Sequence, residues 1–261
     1  MSLTAGDGAA LDSSGWRPSR GRDNQAVRAW YPDELALAGR EHLDAGYVAS
    51  YDRKSGYDPS EDTEILVRAG LSKNSTVLDL GAGTGAFALA AAKLCRRVIA
   101  VDVSSPMVAA LRQRTLESDL SNVTVIRTGF LSYEHSGDPV DFIFTRNALH
   151  QLPDFWKAIA LMKMVEVLRP GGTLRLRDLI FDFDPHESDE SIETWIADAA
   201  SDPSVGYTPA ELAEHVRIEF STFSWLFDAL LAKAGLEVRQ RNFVRHVYGA
   251  YTCRKPAEGC P

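Results

Sequence analysis

Cysteine is scarce in this chain of 261 residues. Its three copies, Cys95, Cys253 and Cys260, leave an odd count and form no C-x-x-C pair. That supports neither a disulfide framework nor a thiolate zinc site, so no metal is expected. Long apolar runs are missing too: none approaches the roughly 18 residues that a membrane span requires. The first residues carry glycine, serine and scattered charge, without the apolar core of a signal peptide, so the expected location is cytoplasmic, with no membrane partner. Positive charge is in deficit. Lys and Arg number 28 against 36 Asp and Glu, and the formal net charge of −8 argues against general affinity for nucleic acid. What is present is the balance of an ordinary folded protein, 45% apolar and 25% charged, in a chain long enough for one α/β domain with a sizeable core.

Residues 1–28 are rich in Gly, Ser, Arg and Asp without hydrophobic periodicity, which predicts a flexible arm. The apolar positions Leu35, Leu37, Ala38, Leu43, Tyr47 and Val48 predict a helix from Pro32 to Ser50, broken by the segment Tyr51–Tyr57. Asp58-Pro59-Ser60-Glu61 predicts the next helix start, with Asp58 as N-cap and Pro59 in the first helical position, and Gly70 as its stop. Strand and helix then alternate, the signature of a parallel sheet covered on both faces. The predicted segments are Thr76–Leu80, helix Ala86–Cys95, Arg97–Asp102, helix Pro106–Glu117, Val123–Arg127, Val140–Thr145, helix Asp154–Leu168 and Thr173–Ile180. Arg169-Pro170-Gly171-Gly172 reads as a turn between a helix and a strand. An acidic insertion follows, with a short helix near Ile192–Ala199 and a capping signal at Thr208-Pro209-Ala210-Glu211. A helix over Thr222–Ala234, closed by Gly235, leads to Leu236–Val244 and His246–Thr252, read as an antiparallel pair at the sheet edge.

The most informative stretch is Val77-Leu78-Asp79-Leu80-Gly81-Ala82-Gly83-Thr84-Gly85-Ala86. It reads as a buried strand, a glycine turn and a helix whose free N–H groups face a crevice. A dinucleotide pyrophosphate is usually met by G-x-G-x-x-G without an acid there. Here the spacing is D-x-G-x-G-x-G, and Asp79 suits a cationic cofactor. Seventeen residues after Gly85, a second strand ends in Asp102, placed to hold ribose hydroxyls.

These motifs, with the segment Asp141–His150, the Arg-Pro-Gly-Gly turn and Ala234-Gly235-Leu236, resemble the class I S-adenosylmethionine-dependent methyltransferases of small molecules, in the order that family shows them. The resemblance covers roughly residues 60–255. It implies a doubly wound, seven-stranded, mostly parallel sheet of Rossmann-like class I methyltransferase type with a reversed final strand. Residues 29–261 would form a single domain, with N-terminal helices over 29–70 and a helical lid over 182–234. It also implies S-adenosylmethionine as cofactor, with S-adenosylhomocysteine as product. Asp79, Gly81, Ala82, Gly83 and Gly85 would hold its methionine end, Asp102 its ribose, and Val103 and Met107 its adenine, although Met107 reads equally as core. Many relatives carry Gly-Asp after the third strand. Here Thr128-Gly129-Phe130 stands in that place, so adenine recognition would rest on stacking and on backbone groups of Gly129 and Phe130. Arg146 and Asn147, just past the fourth strand, complete the cofactor set.

For catalysis, His150 is a general-base candidate because its ordinary pKa lies near neutrality. Its alternative role is shaping the loop or capping a helix. Asp178 is a second base or a substrate-orienting acid, with a loop acid as the alternative. By resemblance, Tyr51-Asp52 folds over the cofactor, and an aromatic face there can stabilise a sulfonium. Arg175 and Arg177 alternate on a covered strand and need acidic partners if buried. Trp195, Phe220, Phe223, Trp225 and Phe227 read as lid and apolar pocket, or in part as core, and Arg239, Arg241, Arg245 and His246 as a solvated edge. The implied reaction is in-line transfer of a methyl group to an O, N, S or C nucleophile of a small molecule. A homodimer is compatible with the sequence. The alternatives are cyclisation or cleavage of the same cofactor, a non-catalytic cofactor-binding protein, and a nicotinamide oxidoreductase, the last disfavoured by Asp79.

Overall fold

The computed structural model describes residues 29–257, so the arm expected over 1–28 and Cys260 lie outside the described residues. The chain divides into residues 1–32, of which only 29–32 are described, and residues 33–261. The second unit opens with α1 (Glu34–Leu37), a 3-10 turn over Arg40–Leu43, α2 (Ala45–Ser55) and α3 (Ser60–Arg68). The single helix expected before Ser50 is therefore three pieces. Asp33 accepts from the Leu35 and Ala36 N–H groups at 3.0 and 3.4 Å, and Asp44 from Tyr47 N–H at 2.8 Å. Two N-cap acids start two helices. Tyr51–Ser55, expected to break the helix, is its last turn and more; the break falls at Gly56. Asp58 acts one step outside its expected place. It accepts from Ser60 N–H at 3.0 Å and from the Ser60 hydroxyl at 2.7 Å, while Pro59 occupies the cap position.

The alternating core follows: β1 (Thr76–Leu80), α4 (Ala86–Ala92), β2 (Arg97–Asp102), α5 (Ser105–Glu117), β3 (Val123–Arg127), β4 (Val140–Arg146), α6 (Asp154–Val167) and β5 (Leu168–Phe181). Then come α7 (Ser188–Ala197), α8 (Pro209–Ile218), the two-residue β6 (Thr222–Phe223), α9 (Ser224–Lys233), β7 (Glu237–Val244) and β8 (Tyr248–Arg254). The sheet order is β3-β2-β1-β4-β5-β8-β7, with β6 paired to β5. β1 is parallel to β2 and β4, while β8 runs antiparallel to both β5 and β7. The reversed last strand is as expected, but it lies inside the sheet between β5 and β7. The Arg169–Gly172 turn is also absorbed: Val140 pairs with Leu168 and Phe142 with Thr173, so these residues bulge out of a continuous β5. β1 reverses the strand order, and the crevice beyond the carboxyl ends of β1 and β4 is where open α/β sheets bind ligands.

Every residue of β1 is buried, the polar Thr76 and Asp79 included, as befits a central strand covered on both faces. One core cluster packs Leu66, Val77, Phe87, Ala88, Val98, Leu111, Phe142 and Phe144 together, with the Phe87 and Phe144 rings stacked. Full burial of such side chains stabilises by about 1.5–3 kcal/mol each. A second cluster of Leu179, Phe181, Trp195, Leu212 and Val247 fastens α7 and α8 to β5. Arg175, 5% exposed, has the acidic partner that its burial demands: its Nε lies 2.8 Å from Asp62 Oδ1. Arg177 is half-buried with its guanidinium 5.5 Å from the Tyr248 ring centre. Cys95 and Cys253 are buried free thiols. No helix among the described residues is long and apolar enough to cross a membrane.

Candidate functional site

Three adjoining cavities occupy the crevice, and Tyr51 and Asn147 line all three. Asn147 follows β4 in the left-handed region, φ 46°, and its N–H donates to Arg177 C=O at 2.8 Å. Asn tolerates this conformation better than most residues. Tyr51 is held in place through its neighbour. The Asp52 carboxylate accepts from the Thr84 hydroxyl and from Arg114, tying α2 to the glycine loop. The Tyr-Asp segment is thereby tied to the glycine loop. Burial pushes the Tyr51 hydroxyl pKa up, with Arg146 opposing, so this group stays a proton donor at neutral pH.

The smallest cavity is bounded by Asp79, Gly81, Ala82, Gly83, Arg146 and Asn147. Asp79 is 2% exposed and its Oδ2 accepts no hydrogen bond. Burial, and secondarily the Asp102 carboxylate, raise its pKa well above the usual carboxylate range. Arg146 Nη1 donates to nothing and Asn147 Oδ1 accepts nothing, although both are buried. The guanidinium of Arg146 stacks 4.0 Å over Tyr57, whose hydroxyl donates to Asp62. A carboxylate oxygen and a guanidinium nitrogen without partners on the wall of one cavity are the complement of an ammonium and a carboxylate, the charge pattern of an α-amino acid.

Gly83 leaves room here. A Cβ on it would stand 3.8 Å from the Tyr51 ring and 4.0 Å from Met107 Sδ, inside the cavity mouth. Gly85, expected among the cofactor residues, lines none of the three cavities. Its φ is +89°, and a Cβ would lie 1.9 Å from Leu111 Cδ1. Gly85 is a packing residue.

The next cavity, about 90 Å³, continues past Asp102, Val103, Met107, Gly129 and Phe130. Asp102 accepts from Gly83 N–H and Ser104 N–H, each at 2.8 Å, one to each carboxylate oxygen. Burial raises its pKa, and those N–H donors oppose the shift. Glu34, which the sequence did not single out, also lines this cavity. Its carboxylate accepts from the Leu131 and Ser132 N–H groups at 2.8 and 2.9 Å and fills the space beside Gly129. An acid therefore stands near the place where Phe130 replaces one in sequence, but it comes from α1.

The third cavity, about 200 Å³, is walled by Tyr47, Tyr51, Tyr207 and Tyr248, with His150, His215, Glu211, Glu214 and Glu219. None of Trp195, Phe220, Phe223, Trp225 and Phe227 lines it. Trp195 and Phe227 are core and Trp225 is 59% exposed, so the expected apolar aromatic pocket is instead a ring of tyrosines and acids. Asp178 is buried and lines none of the three cavities; it accepts from the N–H groups of Leu149, His150 and Leu179 and contacts His150 Nδ1. It orients His150 and is not itself a base for an acceptor. His150 Nε2 lies 3.1 Å from Glu219 Oε2. Burial pushes His150 down, but the carboxylates of Asp178 and then Glu219 more than reverse this, to about 9. An imidazole so placed holds both protons near neutrality, which opposes the general-base role expected of it.

Glu219 reaches His150 because the chain end of α8 is docked on the core: Phe220 N–H donates to His150 C=O at 3.0 Å, and Lys157 Nζ donates to Phe220 C=O. His215 and Glu219, four residues apart at the end of α8, also escaped the sequence reading. The i, i+4 spacing His215-x-x-x-Glu219 is the signal that was there to find.

A methyltransferase-domain family model matches residues 77–172. An uncharacterized methyltransferase of Geobacillus kaustophilus is 30% identical over 152 residues, spanning 55% of this chain and 69% of that protein. Among solved structures, a SAM-dependent methyltransferase from Aquifex aeolicus superposes with a TM-score of 0.55 at 20% identity, over 86% of this chain and 100% of that one. NodS, an N-methyltransferase of Bradyrhizobium japonicum solved with S-adenosylhomocysteine, gives 0.56 at 20% identity, over 85% and 98%. The chain belongs to the class I S-adenosylmethionine-dependent methyltransferases. Its cofactor is S-adenosylmethionine, and the unpaired Asp79 Oδ2 and Arg146 Nη1 fit the amino-acid end of that molecule.

Proposed function

We propose that the protein methylates a small molecule held in the tyrosine-walled cavity. The observation that carries this reading is that Tyr51 and Asn147 line both the cofactor cavities and the tyrosine-walled one, so an acceptor there would adjoin the cofactor. When bound, S-adenosylmethionine supplies an electrophilic methyl group on a sulfonium sulfur. Asp79 and Arg146 would anchor its amino-acid end, Asp102 its ribose hydroxyls, and Val103, Met107, Gly129 and Phe130 would border its adenine. Asp102 keeps lone pairs for that task beyond those used by Gly83 and Ser104.

Tyr51 would orient the acceptor through its hydroxyl and present its ring to positive charge. His150, fixed by Asp178, would hold an acceptor oxygen or nitrogen from the opposite wall. Most of the acceleration would come from holding nucleophile and methyl carbon together, which such sites achieve without a strong base. The helix α8 walls one side of that cavity with Glu211, Leu212, Glu214, His215 and Ile218.

The test is radiolabel transfer from methyl-labelled S-adenosylmethionine to a panel of small hydroxyl, amine and thiol acceptors, with Tyr51→Phe alongside. Label in an acceptor, with Tyr51→Phe slower, is the expected result. Release of methylthioadenosine without an acceptor would show cleavage of the cofactor instead. S-adenosylhomocysteine binding with no turnover over the panel would reject the small-molecule reading.

A further inference from the structure

We propose that His150 Nε2, His215 Nδ1 and the Glu219 carboxylate form a site for a divalent transition-metal ion on the wall of the tyrosine-lined cavity. One ligand atom from each residue lies within 4.8 Å of the other two. His150 Nε2 and Glu219 Oε2 are 3.1 Å apart. Two atoms each about 2.1 Å from an ion stand about 3.0 Å apart at a right angle and about 3.4 Å at the tetrahedral angle. That edge already has the length of a coordination polyhedron. His215 Nδ1 lies against the same Glu219 oxygen, closer than two ligands of one ion stand, so this ring must draw back to admit the ion.

Glu219 Oε2 is buried with ring nitrogens of His150 and His215 against it. Without an ion the charged His150 ring pairs with this carboxylate, and a divalent ion would take the place of the ring proton, which leaves on binding. The outer partners are also those of metal-ligating histidines. Asp178 holds Nδ1 of His150, which leaves Nε2 facing the cavity, and Ser221 Oγ lies 2.8 Å from His215 Nε2, which leaves Nδ1. Such partners fix the tautomer and raise the basicity of the ligating nitrogen.

The Gln151 amide, 3.2 Å from His150 Nε2, must turn aside to admit an ion. Two imidazoles and one carboxylate suit Zn(II), Fe(II) or Co(II), whereas Mg(II) and Ca(II) favour oxygen ligands throughout. Three protein ligands leave coordination positions open toward the cavity, whose lining includes no lysine or arginine. The ion would then be the positive charge facing an acceptor oxygen. That last point rests on the methyl-transfer reading; ion binding itself does not.

The test uses Co(II), whose visible absorption reports its ligand set. Chelator-treated protein is titrated with Co(II), its metal content is measured after dialysis, and S-adenosylhomocysteine binding is measured by calorimetry on the same samples. The expected result is one Co(II) per chain, lost in His215→Ala and in Glu219→Gln with S-adenosylhomocysteine affinity retained. Ser221→Ala, which removes only an outer partner, should weaken Co(II) binding about 10–100-fold. Protein that binds S-adenosylhomocysteine but no Co(II) would overturn the site while leaving the cofactor assignment intact. So would Co(II) binding that persists unchanged in both His215→Ala and Glu219→Gln.

Discussion

Replacing Asp79 by asparagine separates stability from cofactor binding. The side chain is 2% exposed, its Oδ2 accepts no hydrogen bond, and burial raises its pKa well above the usual carboxylate range. A group whose folded pKa is raised contributes stability below its unfolded value, near 4, and loses it as the pH rises through the folded value. At about pH 7 the wild-type protein without ligand therefore bears the cost of a buried acid out of water. Asp79→Asn keeps the volume and removes the charge, so the ligand-free variant should melt at or above the wild-type temperature. That advantage should shrink on acidification toward about pH 4. The loss appears on binding. One charge-assisted hydrogen bond is worth about 1.5–3 kcal/mol, so the Kd for S-adenosylhomocysteine should rise roughly 10- to 150-fold. Calorimetry at neutral pH and thermal melts without ligand measure the two halves. Unchanged affinity, or a ligand-free variant that melts well below wild type, would refute the reasoning.

Gly85→Ala tests the packing role. A Cβ 1.9 Å from Leu111 Cδ1 at φ +89° should cost about 2 kcal/mol and lower Tm by roughly 4–8 °C; an unchanged Tm would return Gly85 to the binding set. Asp62→Ala leaves the buried Arg175 guanidinium only its 3.3 Å hydrogen bond to the Thr252 hydroxyl, a loss of about 3–5 kcal/mol readable by urea denaturation, and a change below 1 kcal/mol would show that Thr252 alone satisfies it. Glu211 carries a pH prediction. Burial pushes its carboxyl up, but Lys54 and the Thr208 donors outweigh this and leave it below its ordinary value of 4.5. Its stabilisation of α8 is present above that pH and lost as the pH falls through the depressed value. Hydrogen exchange over residues 209–218, corrected for intrinsic rates, should accelerate between about pH 6 and about pH 3. Lys54→Met should abolish most of the difference.

The sheet and the cofactor cradle were legible in the chain because their signals are local. Central strands covered on both faces are mostly apolar, and β1, β2 and β3 fall on the expected residues. Asp102 ends its strand and Asp79 stands one residue before the end of its own, so strand position set both at the crevice. The N-terminal helices were misread because two competing caps, Asp33 and Asp44, decide where each begins.

What only the tertiary structure decided is contact between residues far apart in the chain. Gly85 looked like its neighbours in the motif until Leu111 was seen against it, and Asp178 looked catalytic until it was found enclosed beneath His150. Glu34 reaches a loop almost a hundred residues away, and His215 and Glu219 meet His150 only because the end of α8 docks on the core through Phe220. Periodicity and motif spacing record which face of an element is buried. They carry no record of which distant side chain will stand opposite, and that is what makes an acceptor pocket.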